Sequence, residues 1–460
     1  MSLGLLIVVL LALSTLAFFL GKRRALASSG GRARMLHSLP AYYGYYVAVW
    51  CAIPALAIIG LWIVIEPSVI EWLVVSGLPE AERNLPPERL GLLLNDIRNL
   101  AGGNIVSRDA DPALVKAAEF HVYLNGVSHV ALAIAAIAAA IAGMTYARQV
   151  ITPRLTARNK IETVILWFLV GCSIIAVLTT IGIVFSLVVE AARFFAKVSP
   201  IEFLFGMEWS PQIALRAGQV GASGAFGAVP LFVGTLLVAF IAMCIAVPIG
   251  LLSAIYMSEY ADARARAVIK PILEILAGIP TVVYGFFAAL TVAPFLRDMG
   301  QTLGLSVSSE SALAAGIVMG IMIIPFVSSL SDDVINAVPM SMREGSLGIG
   351  ATRSETIKRV IIPAALPGIV GGFLLAVSRA IGETMIVVMA AGLSANMTAN
   401  PLEAVTTVTV QIVTLLIGDQ EFDSPKTLAA FALGLVLFFV TLLLNIFALH
   451  IVRKYREQYE

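Results

Sequence analysis

The feature that most constrains this chain is a series of apolar runs, each about as long as a bilayer is thick, separated by loops that gather Lys and Arg. An α-helix rises about 1.5 Å per residue, so ~20 apolar residues cross a hydrocarbon core of ~30 Å. Inside that core every backbone N–H and C=O must find a partner within the protein, which leaves helices or a closed barrel. Uninterrupted apolar runs without period-two alternation select helices. Composition agrees. Of 460 residues, 59% are hydrophobic and 13% charged, which excludes an ordinary soluble domain. The chain reads as an all-α polytopic membrane protein.

Nine spans are predicted. Residues 3–20 form the first. Its positive charges (Lys22, Arg23, Arg24, Arg32 and Arg34) follow the apolar run instead of preceding it, so it reads as a retained anchor with an outside N-terminus. The others fall near 43–65, 126–146, 163–189, 229–256, 271–296, 311–330, 366–391 and 428–451. Tyr42, Tyr43, Tyr45, Tyr46 and Trp62 sit at the ends of the second, where aromatic belts belong. The basic groups Arg148/Arg154/Arg158/Lys160, Arg264/Arg266/Lys270 and Arg453/Lys454/Arg456 then all land in the cytosol, as does the C-terminus. The polar stretch 66–124, with Asp109, Asp111 and a Gly102-Gly103 break, falls outside and holds a helix near 88–100. Residues 392–426 form a second external loop.

This divides the chain into an N-terminal extension (1–160), a first core span with its external loop (161–228), the remaining core (229–452) and a cytosolic tail (453–460). Cys51, Cys172 and Cys244 lie in apolar runs without C-x-x-C spacing and read as buried packing residues. His37, His121, His129 and His450 are scattered, and no metal site is expected. No G-x4-G-K-[ST] pattern occurs, so no ATP hydrolysis and no bound cofactor are expected of this chain. No internal repeat suggests the inverted halves of a secondary transporter.

Two stretches carry the chemistry. The first is a polar hairpin, 331–363. Residues 331–346 read as a helix, Gly348 and Gly350 supply the turn, and Thr352 and Glu355 form a T-x-x-E capping box. Lys358 and Arg359 suit the C-terminal end of the second short helix, with Pro363 ending it and Pro367 opening the next. The second stretch is the apolar span 366–391, interrupted by Arg379 and Glu383. Four residues apart on one helix, they would share a face. An arginine at a helix centre costs roughly 2.5–3.5 kcal/mol on insertion scales, so it needs a partner or a wet cavity. It reads either as an ion pair locking two helices or as an anion contact in a translocation path, because a guanidinium fork can bind two oxyanion oxygens at once. In the span 271–296, Gly278-Ile279-Pro280-Thr281 reads as a break. Pro280, Thr281 and Tyr284 make a candidate gate beside a cavity, or a kink that serves packing.

The spacing of Glu344, Gly345, Ser346, Gly350, Val360, Ile362 and Pro363 resembles the EAA loop of ABC-importer permeases, E-A-A-x3-G-x9-I-x-L-P. Gly345 and Ser346 replace its alanines, Val360 its isoleucine and Ile362 its leucine. SRAIGETM (378–385) resembles the phosphate-importer permeases of the Pst system, its final Met leaning towards the PstC-type subunit. So do VSPIEFLFGMEWSP (198–211), GAVPLFVGTL (227–236), AVPIGLLSAIYMSEYA (246–261) and KPILEILAGIPTVVYGFF (270–287). The likeness covers about 190–452.

The resemblance implies a six-helix type I importer core, here the last six spans, plus about three extra N-terminal spans, in a bacterial inner membrane. It implies inorganic phosphate as cargo, with Arg379 and Glu383 in its path. It implies that the hairpin, through Glu344, Gly345, Gly350, Thr352, Glu355 and Pro363, docks on a cytosolic ATPase. Implied partners are two PstB-type ATPase subunits that use ATP and Mg, a homologous PstA-type permease (a homodimer stays open), a periplasmic PstS-type phosphate-binding protein and membrane lipids. No nucleic acid is implied. The alternatives are a permease for molybdate, tungstate or sulfate and, further off, a secondary transporter. The resemblance to the Pst system also allows an added role in reporting phosphate status.

Overall fold

The computed structural model describes residues 3–83, 85–102, 112–211, 224–417 and 423–456. Gly103, Asp109 and Asp111 of the outer polar stretch lie outside the described residues, as do 418–422 of the second external loop. Among the described residues, nine helices are long and apolar enough to cross a membrane. The chain forms two compact units, Met1–Val177 and Leu178–Glu460.

The first unit is built on α1 (Leu3–Ser28), α2 (Pro40–Ser76) and α4 (Pro112–Val150), with the short α3 (Pro87–Ala101) between the last two. Leu6, Leu10, Tyr43, Val47, Cys51, Leu132 and Ala136 form its core. The helices approach closely where side chains vanish: a Cβ on Gly143 of α4 would fall on the backbone carbonyl of Trp50 in α2. Tyr43 donates to the carbonyl of Leu155 at 2.9 Å, tying α2 to the basic loop that follows α4.

Both long helices overrun the predicted spans. α2 has 37 residues, about 55 Å of helix, and continues through Pro54 and Pro67. The expected outer loop is therefore largely helical where it is described, at 66–76, 80–83, 87–101 and 112–124. Ile70, Val74, Leu78, Ile97 and Ala118 give this polar segment a small apolar core of its own. The helix expected near 88–100 is present as Pro87–Ala101, while the buried positions that pack around it, few among many charges, were not marked in the sequence.

α5 (Ala157–Phe195) runs from the first unit into the second. Trp167, Phe168 and Phe185 stand exposed along it, as befits a helix face that meets lipid. The same holds for Cys172 and Cys244, which are exposed, whereas Cys51 is buried. The expectation that all three are buried is corrected: in a bilayer an apolar run does not mean an inward face.

The second unit centres on α6 (Val229–Ile255) packed along α10 (Ala312–Ala337), with Val238, Ala242, Val318, Met319 and Ile323 fully or nearly buried between them. Between these helices lie α7 (Ala263–Gly278), α8 (Thr281–Phe287) and α9 (Ala293–Thr302). The predicted break at 278–280 is present, but the membrane-spanning helix begins after it: the apolar span is 281–302, not 271–296, and α7 is a separate amphipathic helix. After α10 come α11 (Met340–Gly348), α12 (Arg353–Thr356), α13 (Ile362–Ile381) and α14 (Met385–Ala390). The loop 392–426, expected outside, contains an unpredicted helix, α15 (Val408–Leu416), before the last span, α16 (Pro425–Arg456). A Cβ on Gly234 of α6 would fall on the carbonyl of Thr406, so this loop presses directly on the core. Two short antiparallel strands, β1 (Trp209–Ser210) and β2 (Ala225–Phe226), complete the cap, where the Trp209 indole donates to the Gln411 side chain at 2.9 Å.

Two π turns precede prolines. Ala288–Val292 leads to Pro294, and Ile357–Ile361 leads to Pro363. A proline lacks an N–H and clashes with the carbonyl four residues back, which lies in the π turn in both cases. The chain therefore does not end a helix at Pro363 and start another at Pro367, as the sequence suggested. The wide turn absorbs the first proline, and α13 continues through the second.

Candidate functional site

Arg379, near the end of α13, opens onto a cavity of about 350 Å³, within the size range of small-molecule sites. Lys270, Leu273, Glu274 and Ala277 form one wall. Spacings of three and four put them on one face of α7. Met322, Pro325, Phe326, Ser329 and Asp332, on a corresponding face of α10, form another. Sequence reading found Arg379 but none of the other polar groups.

Asp332 is almost completely buried. Its carboxylate accepts from Arg266 at 3.0 and 3.2 Å, from Lys270 at 3.3 Å and from Asn336 at 2.8 Å. A buried carboxylate is stable only when so paired, and here the pairing fixes α7 against α10. The signal was present in the sequence as an Asp332-Asp333 pair at the end of an apolar run, and as Arg266 and Lys270 four residues apart. These cations read there only as a cytosolic signature.

Glu383 does not share a helical face with Arg379. α13 ends at Ile381, Gly382 caps it, and Glu383 and Thr384 are non-helical before α14 begins. Among the described residues no ion pair joins the two side chains, and Glu383 is not among the residues lining the Arg379 cavity. Its backbone is fixed instead, because the Thr409 hydroxyl of α15 donates to the Glu383 carbonyl at 2.8 Å. Gly382 keeps a right-handed backbone (φ −86°), and the Glu383 carbonyl beyond the helix end is satisfied by that hydroxyl. The one-face expectation assumed a helix running unbroken to 391.

Pro280 and Thr281 flank the break before α8 but are not in the wall of this cavity, and Tyr284 points into the core. The Tyr284 hydroxyl donates to the carbonyl of Leu276 at 2.8 Å. It thereby strengthens the hold on a carbonyl at the end of α7 that otherwise accepts only a long bond, 3.4 Å, from Ile279 N.

The hairpin has the expected turn chemistry with shifted boundaries. α10 stops at Ala337 because Val338 is extended before Pro339, so the predicted single helix 331–346 is two. Gly350 has φ +93° and makes the turn, while Gly348 is still helical. The capping box is complete, with Thr352 N donating to Glu355 Oε2 at 2.9 Å and Glu355 N to Thr352 Oγ1 at 3.3 Å. The Ser346 and Thr356 hydroxyls meet at 2.9 Å across the hairpin. Arg343 reaches Glu259 at 3.2 Å, and Arg353 lies over the Tyr260 ring at 5.2 Å. Both partners lie in the π turn Tyr256–Tyr260 that ends α6. The hairpin is thus braced against the core at two points. Glu344 and Gly345 are exposed on α11, and Ile349 stands almost wholly exposed at the tip.

Residues 7–179 match a family described as a phosphate ATP-binding cassette transporter, and residues 246–457 match the binding-protein-dependent transport system inner membrane component. The chain is similar to the probable ABC transporter permease protein YqgH of Bacillus subtilis (strain 168), at 34% identity over 275 residues, 59% of this chain and 85% of that one. It is similar to the phosphate transport system permease protein PstC 1 of Mycobacterium tuberculosis (strain ATCC 25618 / H37Rv), at 33% over 283 residues, 56% and 83% of the two chains. It is 34% identical over 260 residues to the PstC protein of Mesorhizobium japonicum, covering 53% of this chain and 75% of that one.

Proposed function

The chain belongs to the PstC-type family of ABC-transporter permeases, and from that premise we propose that it carries inorganic phosphate into the cytoplasm as the membrane subunit of an ATP-driven importer. The observation that carries this reading is Arg379, an intramembrane cation opening onto a cavity large enough for a hydrated oxyanion. Its guanidinium offsets phosphate charge in transit. A path residue must also let the ion go. The exposed end of Glu274 in the same cavity provides a counterweight, and Glu383 stands just beyond, at the broken end of α13.

The hairpin from Met340 to Ile361 supplies the coupling. Two PstB-type ATPase subunits hydrolyse ATP with Mg and press on Glu344, Gly345 and the exposed tip. The capping box at Thr352 and Glu355, the Gly350 turn and the wide turn before Pro363 keep the lever stiff. Arg343–Glu259 and Arg353–Tyr260 pass the motion to α6. A PstA-type permease completes the membrane pair, and a PstS-type binding protein delivers phosphate from outside. In this reading the N-terminus is outside and the C-terminus cytosolic, since only that orientation puts the basic loops inside.

Uptake of radiolabelled phosphate at low external phosphate tests the assignment. The expected result is saturable uptake that stops on ATP depletion and resists competition by sulfate and molybdate. Uptake that survives ATP depletion would overturn the ABC mechanism, and uptake of molybdate or sulfate in place of phosphate would overturn the cargo.

A further inference from the structure

The cavity beside Arg379 holds more anion-binding chemistry than one arginine. Lys270 lines it from α7, and Ser329 lines it from α10 with an exposed side chain. Ser328, also in the wall, is fully buried, and its hydroxyl has no hydrogen-bond partner. A buried hydroxyl left without a partner is costly, and a visiting oxyanion is the kind of acceptor that removes the cost. Lys270 is held by Asp332 through one oxygen at 3.3 Å. An ammonium has three donors, so others remain free. Asp332 is shared with Arg266, which leaves that trio of charges with a net +1.

We propose that Lys270, Ser328 and Ser329 form with Arg379 a single oxyanion subsite, a stopping point for the cargo between α7 and α10. Two cations supply charge, the hydroxyls supply directed hydrogen bonds, and Glu274 on the same wall keeps occupancy short. Asp332 is a positioning residue: it touches no cargo but sets where the Lys270 ammonium stands. This rests on the phosphate reading above.

The test is chemical and does not depend on transport. Ser329→Cys is placed in full-length chain whose native cysteines are replaced, in inside-out membrane vesicles. It is then treated with an anionic and a cationic thiol reagent of similar size. The expected result is faster reaction with the anionic reagent, slowed by millimolar inorganic phosphate. Lys270→Gln, at matched membrane level, removes the preference for the anion. Ser328→Ala, which deletes no hydrogen bond within the protein, raises the phosphate needed for half-protection about ten-fold. Equal rates with both reagents, no reaction with either, or no protection by any oxyanion would overturn the subsite while wild-type phosphate uptake left the cargo assignment standing. Protection by sulfate or molybdate but not by phosphate would uphold an oxyanion subsite and contradict the phosphate reading on which it rests.

Discussion

Arg343 and Glu259 form an ion pair, 3.2 Å apart, between the first helix of the hairpin and the π turn that ends α6. Both side chains are largely buried, at 14% and 9% exposure, so neither is well solvated without the other. Removing one partner of such a pair costs about 3–5 kcal/mol. Arg343→Ala is expected to lower the Tm of the detergent-purified protein and to abolish phosphate uptake. The reversed pair, Arg343→Glu with Glu259→Arg, is expected to recover part of both. Full uptake by Arg343→Ala would show that the brace carries no force.

Tyr284 spans the break before α8 through its hydrogen bond to the Leu276 carbonyl. Tyr284→Phe leaves that carbonyl without the hydroxyl and is expected to cost about 1 kcal/mol. A small fall in Tm with uptake retained is the expected outcome. Complete loss of uptake at normal stability would return Tyr284 to the role of a gate.

Gly350 sits at φ +93° with open space where a Cβ would be, so a substitution there is strained without being crowded. Gly350→Ala is expected to cost about 1–2 kcal/mol. The measurement is limited proteolysis of the hairpin in membranes, where faster cleavage between α11 and α12 is expected. Unchanged cleavage would mean that the turn relaxes at no cost.

Asp332 joins α10 to Arg266 and Lys270 of α7. Asp332→Asn keeps the shape and removes the charge. Hydrogen bonds to charged groups contribute about 1.5–3 kcal/mol, and the partners' partial exposure puts the expected loss at the low end. Tm should fall by an amount that grows as salt is lowered, because two cations are then left facing each other with less screening. A salt-independent change would point to packing alone.

Much of the architecture was legible because bilayer physics writes it in long apolar runs: nine helices long and apolar enough to cross a membrane stand among the described residues, as expected, with the sixth shifted to 281–302. The capping box at Thr352 and Glu355 and the break at Gly278–Pro280 were likewise explicit in residue type. What the sequence hid was set by tertiary contacts. α13 stops at Gly382 because Thr409, 26 residues on, takes the Glu383 carbonyl. The helix Pro87–Ala101 was expected, but the meeting of Ile70, Val74, Leu78, Ile97 and Ala118 in a small core was not. Of the candidate site, Arg379 could be read from its cost in a membrane. Lys270, Ser328 and Asp332 could not, because a lysine at a helix start, a serine in a span and an aspartate at a span end are each ordinary until one cavity collects them.

The most direct measurement is radiolabelled phosphate uptake by cells carrying the wild-type chain, Arg379→Ala or Arg379→Lys at matched membrane levels. The account predicts loss of uptake in the alanine variant and a partial rate in the lysine variant, which keeps the charge but not the fork. Uptake at the wild-type rate by Arg379→Ala would contradict it and reduce Arg379 to a residue of the cavity wall.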